Sequence, residues 1–390
     1  MERANHTFTR SLPSRRSFLW KSLSGIGLCG LSSRLVAAPA PGAALARSAG
    51  EWEARRNELR HFILRQSGLR DLRRGPAPRL EVRRGVRKPH FDVYTFRIET
   101  FPGFYAHGNL YQPVRGVGPF PLVLAPNGHW DEGRLTDRKD YSMPTLCANL
   151  AARGMLVCTW DMLGYNETRQ IPHKLPASLR EKSGITALGI QLWNTIRITD
   201  AIYLQRFARP GFAGITGTSG GATQALLAAA VDDRFRAVAP VCMVSSHFDD
   251  FCSCEKVPAL WDATSLVEVA AMAAPRPQLI VSASGDWTRN TPEVEFPAVQ
   301  EIYQLYRAEA EVENFHQRAG HNCNAVSRSA LYEFFTETFG LERRLPHDLE
   351  IAHHLRRDEI ATRDAKPSST LTRQYAAWWA SRRDSARRSA

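Results

Sequence analysis

The chain has 390 residues, 43% of them hydrophobic and 23% charged. That is enough apolar material for one large globular domain or two small ones, and it excludes a disordered or low-complexity chain. The net charge of +12 gathers at the two ends: residues 1–46 carry six basic groups and one acidic, and residues 341–390 carry eleven and seven. The part between is near balance and holds no basic stripe interleaved with aromatics, so nucleic acid is not an expected partner. No run approaches the roughly 20 apolar residues of a membrane-spanning helix.

Residues 1–46 read as an export signal. Ser14-Arg15-Arg16-Ser17-Phe18-Leu19 precedes Lys21 and the apolar run Leu23–Leu31, and small residues follow up to Ala44-Leu45-Ala46. A charged front, a short apolar middle and an A-x-A end define export signals. The paired arginines resemble a bacterial twin-arginine signal, whose substrates cross the membrane already folded. The expectation is export through the twin-arginine machinery, a mature chain starting near Arg47, and a periplasmic or extracellular location with no membrane span.

Beyond the signal, Glu51–Gln66 has Trp52, Leu59, Phe62 and Ile63 near helical spacing and predicts a helix on the outside of the domain. A Pro- and Arg-rich linker runs from there to Lys88, so residues 47–90 form an N-terminal helix and linker. Val93–Thr100 and Tyr105–Gln112 flank Pro102-Gly103 and predict a hairpin at a sheet edge. Strand and helix then alternate through residue 340. Strands are expected at Pro121–Ala125, Met155–Trp160, Phe212–Thr216, Ala237–Val241, Gln278–Ser282 and Val312–Phe315. Helices are expected at Tyr141–Arg153, Ala187–Phe207, Gly221–Ala230, Glu295–Tyr306 and Ser327–Phe339. Such alternation implies an α/β domain over 91–340, with a mostly parallel central sheet and helices on both faces. Its ligand site belongs at the carboxyl ends of the strands. Residues 341–390 read as a polar, basic C-terminal extension with one aromatic spot, Trp378-Trp379, either a surface extension or a frayed helix rather than a second domain.

Gly217-Thr218-Ser219-Gly220-Gly221 fits G-x-S-x-G, with a strand leading in and a helix leading out. That setting holds a nucleophilic serine on a strained turn, with glycines where strand and helix pass closely. A serine hydroxyl needs a base to take its proton. His321, in the polar loop Ala319-Gly320-His321-Asn322, follows the last expected strand. Asp286, in Ser284-Gly285-Asp286, ends the strand before it and is the expected partner of the imidazole. Asp249 and Asp250 compete for that role. The oxyanion needs two N–H donors: the amide of Gly220 is one, and the amide of His129, in Pro126-Asn127-Gly128-His129-Trp130, is the other.

After export six cysteines remain, an even number that permits disulfides without prescribing them. Cys147, Cys158 and Cys242 lie in apolar runs and read as buried thiols. Cys252-Ser253-Cys254-Glu255 offers half of a metal site, but the sequence holds no second such pair, so neither a metal nor an organic cofactor is expected. Trp130, Trp261 and Trp287 are expected near the substrate loops, either stacking on a ring or packing the loop bases, with Trp130 and Trp287 the substrate-binding candidates. The segment 166–184 is either a lid or an ordinary surface loop.

Over roughly residues 90–340 the chain resembles the acetyl xylan esterase and dienelactone hydrolase branch of the α/β-hydrolases. The resemblance rests on Pro126–Trp130 with Gly133-Arg134, on Trp160-Asp161-Met162-Leu163-Gly164-Tyr165 and on the Ser219 motif. It continues through Cys252–Glu255, Ala274-Pro275-Arg276-Pro277, Gly285-Asp286-Trp287-Thr288 and Gly320-His321-Asn322. It implies a serine esterase with Ser219, Asp286 and His321 as its triad, acting on a small-molecule or carbohydrate ester such as an acetylated polysaccharide. Two departures bear on substrate. Acetyl xylan esterases carry Gln after the nucleophile, where Gly220 stands here, and an upstream Arg-Gly-Gln segment that is absent. The alternatives are a peptidase of the prolyl-oligopeptidase type, whose propeller domain residues 47–90 cannot form, and a catalytically silent binding protein on the same fold.

Overall fold

The computed structural model describes residues 44–70, 75–246, 252–361 and 366–388. The paired arginines of the export signal, Asp249 and Asp250 lie outside the described residues.

Nine strands form one mixed sheet: β1 (Leu80–Arg87), β2 (Phe91–Phe101), β3 (Phe104–Pro113), β4 (Phe120–Leu124), β5 (Leu156–Trp160), β6 (Ala208–Thr218), β7 (Phe235–Val241), β8 (Gln278–Gly285) and β9 (Val312–Gly320). Their spatial order is β1-β2-β3-β5-β4-β6-β7-β8-β9. The first four run antiparallel to one another, and every pairing from β5 through β9 is parallel.

The inner parallel strands β4, β5 and β7 read as largely apolar runs because both faces of that part of the sheet are covered, whereas the edge strand β9 is polar and mostly exposed or half-buried. Successive side chains point to opposite faces. Val123, Val157, Ala239 and Val281 meet helices Met143–Ala152 and Ala325–Thr338 in one core cluster. Their strand neighbours Leu122, Leu156, Val238 and Ile280 point the other way and are equally buried. Helices Ala187–Leu204 and Gly220–Val231 supply that second layer. Helix Ala49–Gln66 is capped by Ser48 and buries Trp52, Leu59, Phe62 and Ile63, the four residues its spacing singled out.

One region differs from the sequence reading, and a second is better packed than expected. Residues 80–87, expected as linker, form the edge strand β1, which pairs with β2 from Leu80↔Ile98 to Arg87↔Asp92. Its sequence, LEVRRGVR, hides the strand because charges at an edge guard against further pairing, and the register comes from β2. In the C-terminal extension, Ser369–Arg388 forms a helix held by aromatics. Tyr375 stacks on Phe101 at a centroid distance of 3.7 Å, and both Tyr375 and Trp379 are fully buried.

A buried ionic cluster ties the loops at the carboxyl end of the sheet. Arg134, 1% exposed, pairs with Asp161 at 2.9 Å and Glu167 at 2.6 Å, and donates to Asn109 on β3 and to the Ile360 carbonyl. Removing one partner of such a set leaves an uncompensated buried charge, which costs about 3–5 kcal/mol.

Candidate active site

Ser219 stands between β6 and helix Gly220–Val231 with φ 56° and ψ −130°, a conformation that L residues rarely adopt. The turn holds because its flanks are tight. A β-carbon on Gly217 would lie 2.3 Å from the Gly221 carbonyl oxygen, and one on Gly221 would lie 2.4 Å from the Pro126 carbonyl oxygen. The Ser219 amide donates to the Val241 carbonyl at 3.0 Å, fastening the turn to β7.

Asp286 follows β8 and His321 follows β9, the next two strands beyond β7. His321 Nδ1 and Asp286 Oδ2 are 3.0 Å apart. The carboxylate side chain is 2% exposed and the imidazole 26%. The other Asp286 oxygen accepts from the Thr288 amide at 2.7 Å and from the Thr288 hydroxyl. Burial works to raise the Asp286 carboxyl. Hydrogen bonds from His321, from both Thr288 donors and from Cys242 outweigh it and hold the group below its ordinary value.

The loop after β4 crosses the elbow. The Gly128 amide donates to the Tyr141 hydroxyl at 2.9 Å. Trp130 stacks on Tyr141 at 3.7 Å and lies parallel to His321 at 5.6 Å. Trp287 approaches the same imidazole at 4.2 Å and donates to the Cys242 carbonyl. Of the three tryptophans expected near substrate, Trp130 and Trp287 flank His321, whereas Trp261 donates its indole N–H to the Glu255 carbonyl. The His129 imidazole covers the α-carbon of Gly220, and its Nε2 lies 3.0 Å from Cys254 Sγ.

These contacts bring Ser219, Gly220, His129, Trp130, Trp287, Asp286 and His321 to one end of the sheet. Sequence reasoning missed Thr288 and Tyr141. Thr288 had a signal, because an Asp followed two residues later by Thr forms a local side-chain turn. Tyr141 had none, since its partner is a backbone amide in another loop.

No protein-family model matches the chain. A methylesterase, BT1017, superposes with a TM-score of 0.71 at 29% identity, covering 89% of this chain and 78% of its own. The fold is that of the α/β-hydrolases. A protein assigned as an acetyl xylan esterase from Bacteroides fragilis gives a TM-score of 0.58 at 14% identity, over 70% of this chain and 78% of its own. A glucuronoyl esterase from Solibacter usitatus gives 0.58 at 15%, over 78% and 98%. YtaP of Bacillus subtilis (strain 168), assigned as a hydrolase, is 26% identical over 195 residues, 46% of this chain. That match spans 64% of YtaP's own length. These likenesses are to ester hydrolases and a hydrolase, and what they establish for this chain is the α/β-hydrolase fold. No helix among the described residues is long and apolar enough to cross a membrane.

Proposed function

We propose that the protein is a serine esterase acting on small carbohydrate esters through Ser219, His321 and Asp286. The observation that carries this is the 3.0 Å contact of Asp286 with His321 at the sheet end where Ser219 holds its strained backbone. Asp286 fixes the imidazole with Nδ1 protonated, which leaves Nε2 as the base. His321 takes the Ser219 proton as the hydroxyl oxygen attacks the ester carbonyl. The amides of Gly220 and His129 stabilise the tetrahedral oxyanion. His321 then protonates the leaving alcohol, and a water, activated by the same imidazole, hydrolyses the acyl-enzyme.

The likeness to a methylesterase adds a second reading of the substrate, in which the small group is the alcohol rather than the acyl part. Purified protein is tested on p-nitrophenyl acetate, acetylated xylan and a methyl-esterified polyuronate, with Ser219→Ala as control. Turnover of acetylated xylan supports the acetyl reading and release of methanol supports the methyl reading. Ser219→Ala is expected to lose about 10⁴-fold or more. Normal activity in that variant overturns the assignment. Ester turnover in preference to peptides separates this reading from the peptidase alternative, and fluorophosphonate labelling of Ser219 separates it from a silent fold.

We further propose export through the twin-arginine route, with maturation near Arg47. N-terminal sequencing of periplasmic material tests it, and an intact Met1 there counts against cleavage.

A further inference from the structure

Four metal-ligating side chains from three separate loops converge beside the elbow. His129 lies in the loop after β4, His173 in the segment after β5, and Cys252 and Cys254 after β7. Each offers one ligand atom, and the four atoms all lie within 4.8 Å of one another. His129 Nε2 is 3.0 Å from Cys254 Sγ, and His173 Nε2 is 3.2 Å from Cys252 Sγ. In a tetrahedral zinc site, with Zn–S of about 2.3 Å and Zn–N of about 2.0–2.1 Å, ligand atoms stand about 3.3–3.8 Å apart. The two nitrogen–sulfur pairs stand a few tenths of an ångström inside that range and all four atoms lie within 4.8 Å, so small side-chain shifts bring them to it.

The imidazoles are also set for ligation. His173 Nδ1 is 2.7 Å from the Leu163 carbonyl, so Nδ1 carries the proton and Nε2 directs its lone pair at the sulfur of Cys252. A backbone carbonyl behind a ligating histidine is a recurrent arrangement that fixes the ring and its tautomer. Behind His129, the buried carboxylate of Glu255 stands 4.0 Å from Nδ1. The sequence showed one Cys pair and no second. The fold supplies the second pair as two histidines, one on the oxyanion loop and one on the segment 166–184.

We infer that His129, His173, Cys252 and Cys254 form a Cys₂His₂ site for a divalent zinc-like ion. Two thiolates and two neutral imidazoles make a borderline-soft tetrahedral set that suits Zn²⁺ and fits neither Mg²⁺ nor Ca²⁺. Binding exchanges the two thiol protons for the metal, Zn²⁺ + 2 RSH → Zn(SR)₂ + 2 H⁺, and leaves the core of the site neutral. Four protein ligands fill the coordination sphere, so the ion is structural and leaves no open position for a reacting water. It clamps three active-site loops together. If the amide of His129 serves as an oxyanion donor, a point that rests on the function proposed above, the metal also fixes that donor.

The full-length chain is produced reduced in zinc-supplemented medium and desalted, and metal is counted by elemental analysis. Zinc is then exchanged for Co²⁺ and the visible spectrum recorded. One zinc per chain is expected, and tetrahedral Co²⁺ with two thiolates gives strong d–d bands with sulfur-to-cobalt charge transfer in the near ultraviolet. Cys252→Ser/Cys254→Ser and His173→Ala should each bind the metal at least tenfold more weakly. Circular dichroism of each variant keeps loss of the site distinct from loss of the fold. Ser219→Ala should bind zinc as the unmodified protein does, so an inactive enzyme does not bear on the metal site. A reduced, folded chain that binds neither Zn²⁺ nor Co²⁺ at micromolar concentration overturns the inference. So does a Cys252–Cys254 disulfide in the protein as isolated, or undiminished binding in both ligand variants.

Discussion

The imidazole of His129 lies over residue 220, where a β-carbon would stand 2.2 Å from Cε1 and 2.5 Å from Nδ1. Glycine at residue 220 leaves the ring the space that a side chain would take. Gly220→Ala is expected to push the ring aside and disturb the loop that carries the proposed oxyanion donor. Loss of one such donor costs about 10²–10³ in turnover. Kinetics on p-nitrophenyl acetate, with circular dichroism to show an intact fold, should find a drop of that order. Full activity in Gly220→Ala would mean that the His129 ring moves without disturbing the loop amide.

Asp286 gives a second test. In Asp286→Asn the amide holds the wrong tautomer of His321, and turnover should fall by about 10⁴. Thr288→Val is milder, since the backbone donor to Asp286 remains. Because the folded carboxyl sits below its ordinary value of 3.8, the stabilisation it brings is present above that value and fades as pH falls through the lower, folded one. Losing the Thr288 hydroxyl moves the carboxyl up and shifts that fading to higher pH. Stability curves between pH 2 and 5 for the two proteins should separate in that direction, and coincident curves would remove Thr288 from the account.

Much of this site was legible in the residues, because strands covered on both faces announce themselves as apolar runs and G-x-S-x-G marks the turn from such a strand into a helix. His321 and Asp286 followed from their places at the ends of β9 and β8. The Cys₂His₂ cluster was not legible, for its four ligands come from loops at residues 129, 173 and 252–254 with no common spacing. Strand β1 was hidden for a different reason: its register is imposed by β2, and its own residues are charged. In the C-terminal extension Trp378-Trp379 stood out only as an aromatic spot, because its partners Phe101 and Gly68 are remote in sequence.

That extension yields a stability prediction. Tyr375 is fully buried against Phe101 and Phe104, and its hydroxyl has no hydrogen-bond partner among the described residues. Truncating a buried aromatic costs about 3–5 kcal/mol. Tyr375→Ala should lose about that much in chemical denaturation. Tyr375→Phe removes a buried polar group that bonds to nothing, so it should match or exceed the unmodified protein. A Phe variant as unstable as the Ala variant would show that the hydroxyl is satisfied, for instance by water.

His107 on β3 makes stability fall with acid in a window set by one group. Burial is the main force lowering its pKa from 6.5 to about 4; Glu167 opposes the shift, and Arg134, Arg83 and Arg97 add to it. Between these values the unfolded chain holds a proton on the imidazole that the folded chain refuses, so the unfolded state gains as pH drops. The contribution is complete above 6.5, and the penalty is fully developed at about 4. A shift of this size, discounted for the partial exposure of the ring, corresponds to about 1–3 kcal/mol. His107→Gln carries no titrating proton, so its stability should decline less than that of the unmodified protein between pH 7 and pH 4.5. Denaturant midpoints at the two values, taken with an unchanged slope, measure the difference directly. Equal declines would assign the acid sensitivity to the carboxylates and leave His107 out of it.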